Sequence, residues 1–357
     1  MKKQNIRIEE FKPKESSKEL LESYIDFSER IFIELYPDDD PSYERETIRQ
    51  EILNIFELLD YYFWILILEE NSKQTVIGKC SFYISNKKNP NYEENKHTTW
   101  FQLFIDKQYR RQGWGTKLFQ VMIKKIVELK EITIVQTYSL LDSGWRFCEK
   151  NGAVLALVGV YNRLKLADVD WQEMANWVKD GENLAQKDNC SLEIFDHIPD
   201  TIIDEFTKFF TDIANLVPLG ELDDIRAETP ESRRIREEQF KKLGIKWITM
   251  ITKENDGSIS GITDIQYSQS KPYLIEQDVT GVLPKYRGRG LGKWLKAAML
   301  FYIQDKFPKV TIINTGNADT NAPMLSINER MGYKKHLTEK CYKFQLQDLM
   351  EKFGINR

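Results

Sequence analysis

At 357 residues, with 41% hydrophobic and 30% charged residues, the chain has an ordinary soluble globular balance and room for two domains, each with its own core. A net charge of −4 gives no basic footprint for nucleic acid, and four scattered cysteines (Cys80, Cys148, Cys190, Cys341) form neither a CxxC pair nor a disulfide framework. The three histidines, His97, His197 and His336, are not at metal-ligand spacing, so a zinc enzyme and any bound metal are not expected.

The chain opens MKKQNIRIEEFK, charged and without an apolar core, which does not read as a secretion signal. The longest apolar run, Tyr61 to Leu68, is eight residues, a buried strand and too short to cross a bilayer. With thiols read as reduced, the expected location is the cytoplasm, with no membrane or nucleic-acid partner.

In chain order, the expected elements form a pattern that occurs twice. Short strands open the halves at Ile6–Phe11 and Ser191–Asp196, each followed by a helical pair. In the second half Thr229-Pro230-Glu231 reads as a helix N-cap, a first-position proline and a first-turn acid, with Gly244 closing the helix. Strands Phe63–Leu68 and Val76–Ile84 correspond to Trp247–Thr252 and Ser258–Tyr267, joined by the polar turns EENSKQ and KENDGS. Each half then carries a strand, a glycine cluster, a helix, a strand, a helix and a last strand. The expected class is α/β with a mixed sheet, divided as residues 1–168, a connecting segment 169–189, and residues 190–357.

The repeat rests on two landmarks. YRRQGWG (Tyr109–Gly115) and YRGRGLG (Tyr286–Gly292) share a tyrosine, an arginine and two glycines at an offset of 177 residues. FCEKNGA (Phe147–Ala153) and INERMGY (Ile327–Tyr333) follow in the same order, 42 and 45 residues from arginine to glycine. Each cluster sits between a strand and a helix, where glycines let the backbone approach a ligand and the helix N-terminus offers unpaired N–H groups. The spacing satisfies neither GxxxxGK[ST] nor GxGxxG and leaves R-x-x-G-x-G.

On these residues both halves resemble domains of the GNAT (Gcn5-related N-acetyltransferase) superfamily, in tandem. The stretch from Asn215–Asp223 to Asn321–Tyr333 is similar to the catalytic half of mycothiol synthase and related tandem acetyltransferases. The resemblance implies acetyl-CoA as co-substrate and an acetyl transfer to an amine. It places thioester and pantetheine contacts at the backbone of Val282 and Leu283, and at Ile105 and Asp106 in the first half. It places the pyrophosphate on the amides of Arg287, Gly288, Arg289, Gly290, Leu291 and Gly292, with Arg110, Gly113 and Gly115 as counterparts. Asn321 and Met324 would line the pantetheine arm. The family's tyrosine acid is replaced by Asn328 in the second half and Cys148 in the first.

Direct attack requires an amine to lose a proton, and a carboxylate is the usual base. Glu276 and Asp278, with Thr280, alternate on the strand before the second cluster, so period two puts them on one face; the offset maps them to Thr99, Phe101 and Leu103. Either acid could be the base. The second half is therefore expected to be catalytic and the first degenerate, its coenzyme occupancy open. Acidic loops at Asp38–Asp40 and at Glu221, Asp223 and Asp224 suggest a small cationic amine as acceptor. A protein or peptide acetyltransferase, a non-catalytic acyl-CoA sensor and an aminoacyl-tRNA-dependent transferase are the alternatives. Oligomeric state stays open.

Overall fold

The computed structural model describes residues 5–356, the side chain of Tyr43 apart. Residues 1–4 and 357, the ends of the expected first and last domains, lie outside them. The first pass of the chain runs β1 (Asn5–Glu10), α1 (Lys18–Leu35), α2 (Glu44–Leu53), β2 (Leu59–Glu70), β3 (Lys73–Ser85), α3 (Tyr92–Asn95), β4 (Thr98–Ile105), α4 (Trp114–Glu128), β5 (Ile134–Ser139), α5 (Asp142–Lys150) and β6 (Val154–Lys165). A helix, α6 (Trp171–Asp188), connects it to the second pass. That pass runs β7 (Ser191–Phe195), α7 (Ile203–Ala214), α8 (Pro230–Lys242), β8 (Ile245–Lys253), β9 (Ile259–Ser268), β10 (Leu274–Val282), α9 (Leu291–Lys306), β11 (Ile312–Ala318), α10 (Ala322–Met331), β12 (Lys334–Gln345) and α11 (Leu346–Phe353).

Local chemistry accounts for the boundaries. Thr229 caps α8 in a reciprocal box with Ser232, with Pro230 at its start and Gly244 in left-handed backbone (φ 69°) after its end. The β2–β3 hairpin turns on Asn71 and Ser72, both at positive φ (48° and 64°), the pair that matches the twist of the strands.

Two compact units result, and they interleave along the sequence. The first comprises residues up to Leu157, Gly220–Asp224 and the chain from Lys340 onward; the second comprises Val158–Leu219 and Ile225–Glu339. Strand order in the first is β1-β2-β3-β4-β5-β12, antiparallel except for the parallel pair β4·β5. In the second it is β7-β8-β9-β10-β11-β6, again with one parallel pair, β10·β11. The division differs from the one expected at 168 and 190. The sixth strand of each unit comes from the other end of the chain, a long-range pairing that no local pattern reports. The connecting segment is likewise not a spacer, because α6 lies within the second unit and its Met174 and Trp177 join the core formed by α9 and β8–β11.

Within each unit the sheet is covered on both faces. In the second, α9 packs on one face through Leu295, Met299 and Ile303 against Ile248, Ile265, Ile275 and Ile313. Helix α7 packs on the other through Phe206, Phe210 and Ile213 against Ile251 and Ile262. The first unit repeats this with α4 and α1.

Candidate active site in the second unit

The parallel pair β10·β11 holds only from Leu274↔Ile312 to Gln277↔Thr315, after which the strands part. At the same place β10 carries a bulge: Gln277 pairs with Ile265 but Thr280 pairs with Thr263, leaving Asp278 and Val279 opposite Asp264 alone. A 3-10 turn, Pro284–Tyr286, then leads into α9, whose N-cap is Gly290 at φ 89°. The cleft so formed is a cavity of about 760 Å³ lined by Thr280–Val282, Tyr286–Lys293, Asn321, Met324, and Trp177 and Asp180 of α6.

The glycines meet a backbone demand. Gly288 (φ 81°) and Gly290 (φ 89°) are left-handed, and a Cβ on either would meet nothing within 4 Å, so these positions face open space. The first N–H groups of α9 have no intrahelical acceptor, which makes this end an anion site. Arg287 is tied only by its Nε, which donates to Val282 O at 3.0 Å; its terminal nitrogens make no ion pair among the described residues. Arg289 is engaged by Glu254 and Asp188, both at 2.9 Å, so its side chain is structural.

Some expected contacts are corrected by hydrogen-bond geometry. Leu283 N donates to Ser260 O at 3.0 Å, so its amide is not free. Neighbouring residues of an antiparallel strand alternate in direction, so Val282 alone of that pair turns its N–H toward the parted side. The same correction applies in the first unit, where Asp106 N donates to Ile77 O at 2.8 Å and Ile105 is the residue left facing outward. The Arg287 amide is used as well, by Pro284 O at 3.3 Å. Asn321 and Met324, expected along the pantetheine arm, are among the residues that line the cavity.

Of the candidate acids, Glu276 and Asp278 are exposed on the face that α7 and α8 cover elsewhere. Asn314 bridges Arg163 to Glu276: Arg163 Nε donates to its Oδ1 at 2.9 Å and its Nδ2 donates to Glu276 Oε1 at 3.0 Å. Thr280 does not share that face. The bulge inserts one residue, so Thr280 turns with Gln277 and both bond Thr263 Oγ1, at 2.7 and 3.1 Å. The same insertion changes the repeat offset: Ile105 and Val282 are 177 residues apart, but Thr98 and Leu274 only 176. Glu276 therefore corresponds to Trp100, not Thr99.

Asp264 was not a candidate from sequence, where it reads as one polar residue in an apolar strand. It is fully buried; Oδ2 accepts from Trp247 Nε1 at 2.9 Å and Oδ1 has no partner among the described residues. Burial, and then the charge of Asp278, push its carboxyl up to about 8, against the opposing pull of Arg233. Arg233 lies beside it, 1% exposed, with its guanidinium 3.4 Å from the centre of the Trp247 ring.

The carboxylates of the acidic loops have partners of their own. Glu221, Asp223 and Asp224 belong to the first unit, where Lys343 Nζ pairs with Asp223 at 3.0 Å and Asn95 Nδ2 donates to Asp224 at 3.3 Å. Asp40 caps a short turn by accepting from Ser42 N.

The first unit's cluster has the same frame: a parallel pair ending at Phe101↔Thr137, a 3-10 turn, and Gly113 (φ 85°) capping α4. Arg110 Nε donates to Ile105 O at 2.7 Å, but both its terminal nitrogens are held by Glu34, and Asp106 is paired with Arg30 at 2.9 Å. A Cβ on Gly115 would meet the side chains of Leu103, Ile105 and Phe147 at 3.6–3.8 Å. Strand β4 pairs with β3 without a bulge. Cys148, at the tyrosine position, is buried and its thiol is pushed up to about 12.

A parted parallel strand pair above a glycine-capped helix is thus present in both units. Residues 21–153 match the acetyltransferase (GNAT) family model, so the first unit carries a GNAT-family domain. Over 96% of its length the chain is similar to a tandem GNAT protein from the clavulanic acid biosynthesis pathway (TM-score 0.71, 16% identity, 99% of that chain). It is similar over 96% to a GCN5-related N-acetyltransferase from Sphaerobacter thermophilus (TM-score 0.63, 14% identity, 96% of that chain). A GCN5-related glucosamine N-acetyltransferase region of a fungal multi-domain GH3 β-N-acetylglucosaminidase is matched at TM-score 0.64 and 11% identity, over 96% of this chain and 38% of that one. No curated protein sequence matches. The domain at residues 21–153 thus belongs to the acetyltransferase (GNAT) family, and the chain as a whole shares the fold of tandem GNAT proteins. No described helix is long and apolar enough to cross a membrane.

Proposed function

We propose that the second unit binds acetyl-CoA and transfers its acetyl group to the primary amine of a small cationic acceptor by direct attack. The observation that carries this is the cradle at α9: two left-handed glycines facing open space, a helix N-terminus and the terminal nitrogens of Arg287, unpaired among the described residues. That set suits a pyrophosphate. The outward N–H of Val282 suits the thioester carbonyl, whose oxygen gains charge as the amine adds.

Glu276 and Asp278 supply negative charge beside the bulge, next to the protonated carboxyl of the buried Asp264. They would attract an ammonium and take its proton, directly or through water. These carboxylates add to the acidic loops as ground for a cationic acceptor. The test is calorimetry and turnover with Gly290→Glu, which adds a carboxylate and strains a left-handed position. Loss of acetyl-CoA binding in a folded variant is the expected result; unchanged affinity would refute the assignment.

A further inference from the structure

Helix α9 carries one charge into the interior. Lys296 is 1% exposed, and no carboxylate among the described residues compensates it. Its Nζ donates to Asn328 Oδ1 at 2.6 Å and lies 4.9 Å from the centre of the Tyr333 ring. An unpaired buried ammonium is unfavourable, and an apolar residue of similar volume would fold better. The first unit does use one: Phe119, 177 residues earlier, is fully buried against Phe147 and Phe344. The fold position does not need the charge.

Chemistry fixes the direction of the hydrogen bonds that follow. Lysine can only donate, so Asn328 must turn its oxygen to Lys296 and its NH2 outward. That NH2 donates to Asn317 Oδ1 at 2.7 Å, and Asn162 Nδ2 donates to the same oxygen at 3.3 Å. Asn317 thus accepts on its inner side and is left with an NH2 that has no acceptor among the described residues. It stands on β11 two residues past Thr315, the last to pair with β10, and so on the parted stretch. Amides in series, polarised from one end by an ammonium, donate more strongly at the other.

We propose that Lys296 is a positioning residue that acts through Asn328 and Asn317 to present a polarised N–H to the thiolate leaving acetyl-CoA. It does so where the family's tyrosine hydroxyl is missing at residue 328. This rests on the reading of the second unit as the acetyl-CoA site. In the step, the amine nitrogen forms its bond to the carbonyl carbon and the C–S bond breaks with its electron pair on sulfur. The amine proton goes to the carboxylate or water beside Asp278. The thiolate, held by Asn317, takes a proton from solvent on release.

Burial lowers Lys296 to about 7. Around it, Asn328 of α10 is neutral and the Tyr333 hydroxyl donates to Gln277 Oε1 at 2.9 Å; Glu276 acts on Tyr333 from β10. The ammonium therefore discharges as pH rises through neutrality, and the assistance should fade with it.

The experiment compares the full-length parent with Lys296→Met and Asn317→Ala for acetyl-CoA affinity by calorimetry, kcat across pH 6 to 9, and Tm. Lys296→Met should fold with a raised Tm, bind acetyl-CoA within about twofold of the parent, and lose about 100-fold in kcat, the scale of one lost donor to a developing anion. The limb of the kcat profile near pH 7 should vanish with it. Asn317→Ala should lose kcat similarly, and it decides alone should Lys296→Met not fold. Unchanged kcat, or a loss that merely follows coenzyme affinity, overturns the inference. A parent that binds no acetyl-CoA overturns the underlying reading too.

Discussion

Arg110 and Arg287 each follow a 3-10 turn and donate Nε to the carbonyl of the strand just left, Ile105 or Val282. In the first unit Glu34 then closes on the guanidinium, with Asp106 and Arg30 paired alongside. In the second the guanidinium stays exposed at the head of a helix. One backbone frame therefore serves two electrostatic ends. A carboxylate in the cradle repels a pyrophosphate and uses the cation that would hold it. Position 111 shows the same contrast: Arg111 adopts φ 62°, which the second unit gives to Gly288 at φ 81°. The family match falls on the first unit, while the cradle proposed for the coenzyme lies in the second.

The largest effect should come from the acids that only the second unit has. At the corresponding places the first has Trp100, Gln102 and Ser81. At saturating acetyl-CoA, Glu276→Gln, Asp278→Asn and Asp264→Asn are each to be assayed for kcat. A loss of about 100- to 10,000-fold is expected in at least one. Near-parent turnover in all three would erase this difference between the units.

Next in size are the paired arginines. Arg287→Ala should weaken acetyl-CoA binding about 10- to 100-fold, as for charge-assisted hydrogen bonds of about 1.5–3 kcal/mol. Arg110→Ala should leave binding unchanged and instead lower stability by about 1–3 kcal/mol, because Glu34 loses its partner in a half-buried site. Denaturant titration beside calorimetry separates the two, and equal binding losses would mean both cradles work.

A smaller effect is expected from Asp264 on pH-dependent stability. Its folded carboxyl, at about 8, lies above the ordinary range near 3.9, so between these values the folded state holds a proton that the unfolded chain has lost. Stability from this group is full below pH 4 and falls as pH rises to 8. Asp264→Asn should gain on the parent across that window; a pH-independent difference would show that Asp264 is ionised when folded.

Much of this was legible in the residues. The glycine clusters stand at strand-to-helix junctions because their left-handed backbone demands glycine, and Thr229-Pro230 marks a helix start by local chemistry alone. The exposed position of Glu276 and Asp278 on the strand before the cluster followed from the period of two. The bulge's effect did not, since one inserted residue shifts Thr280 to the other face without a local signature. Asp264 and Lys296 look like ordinary polar positions until packing shows their burial, and Asn317 gains meaning only from Asn328 and the parting of β11. Long-range pairing hid the exchanged sixth strands and the placement of the Glu221–Asp224 loop in the first unit.

The central claim is that one of two similar cradles holds the coenzyme. Calorimetric titration of the full chain with acetyl-CoA tests it, with Gly290→Glu and Gly113→Glu alongside. One site per chain, lost with Gly290→Glu and kept with Gly113→Glu, is the predicted result; two sites, or a single site lost with Gly113→Glu in a folded protein, would contradict it.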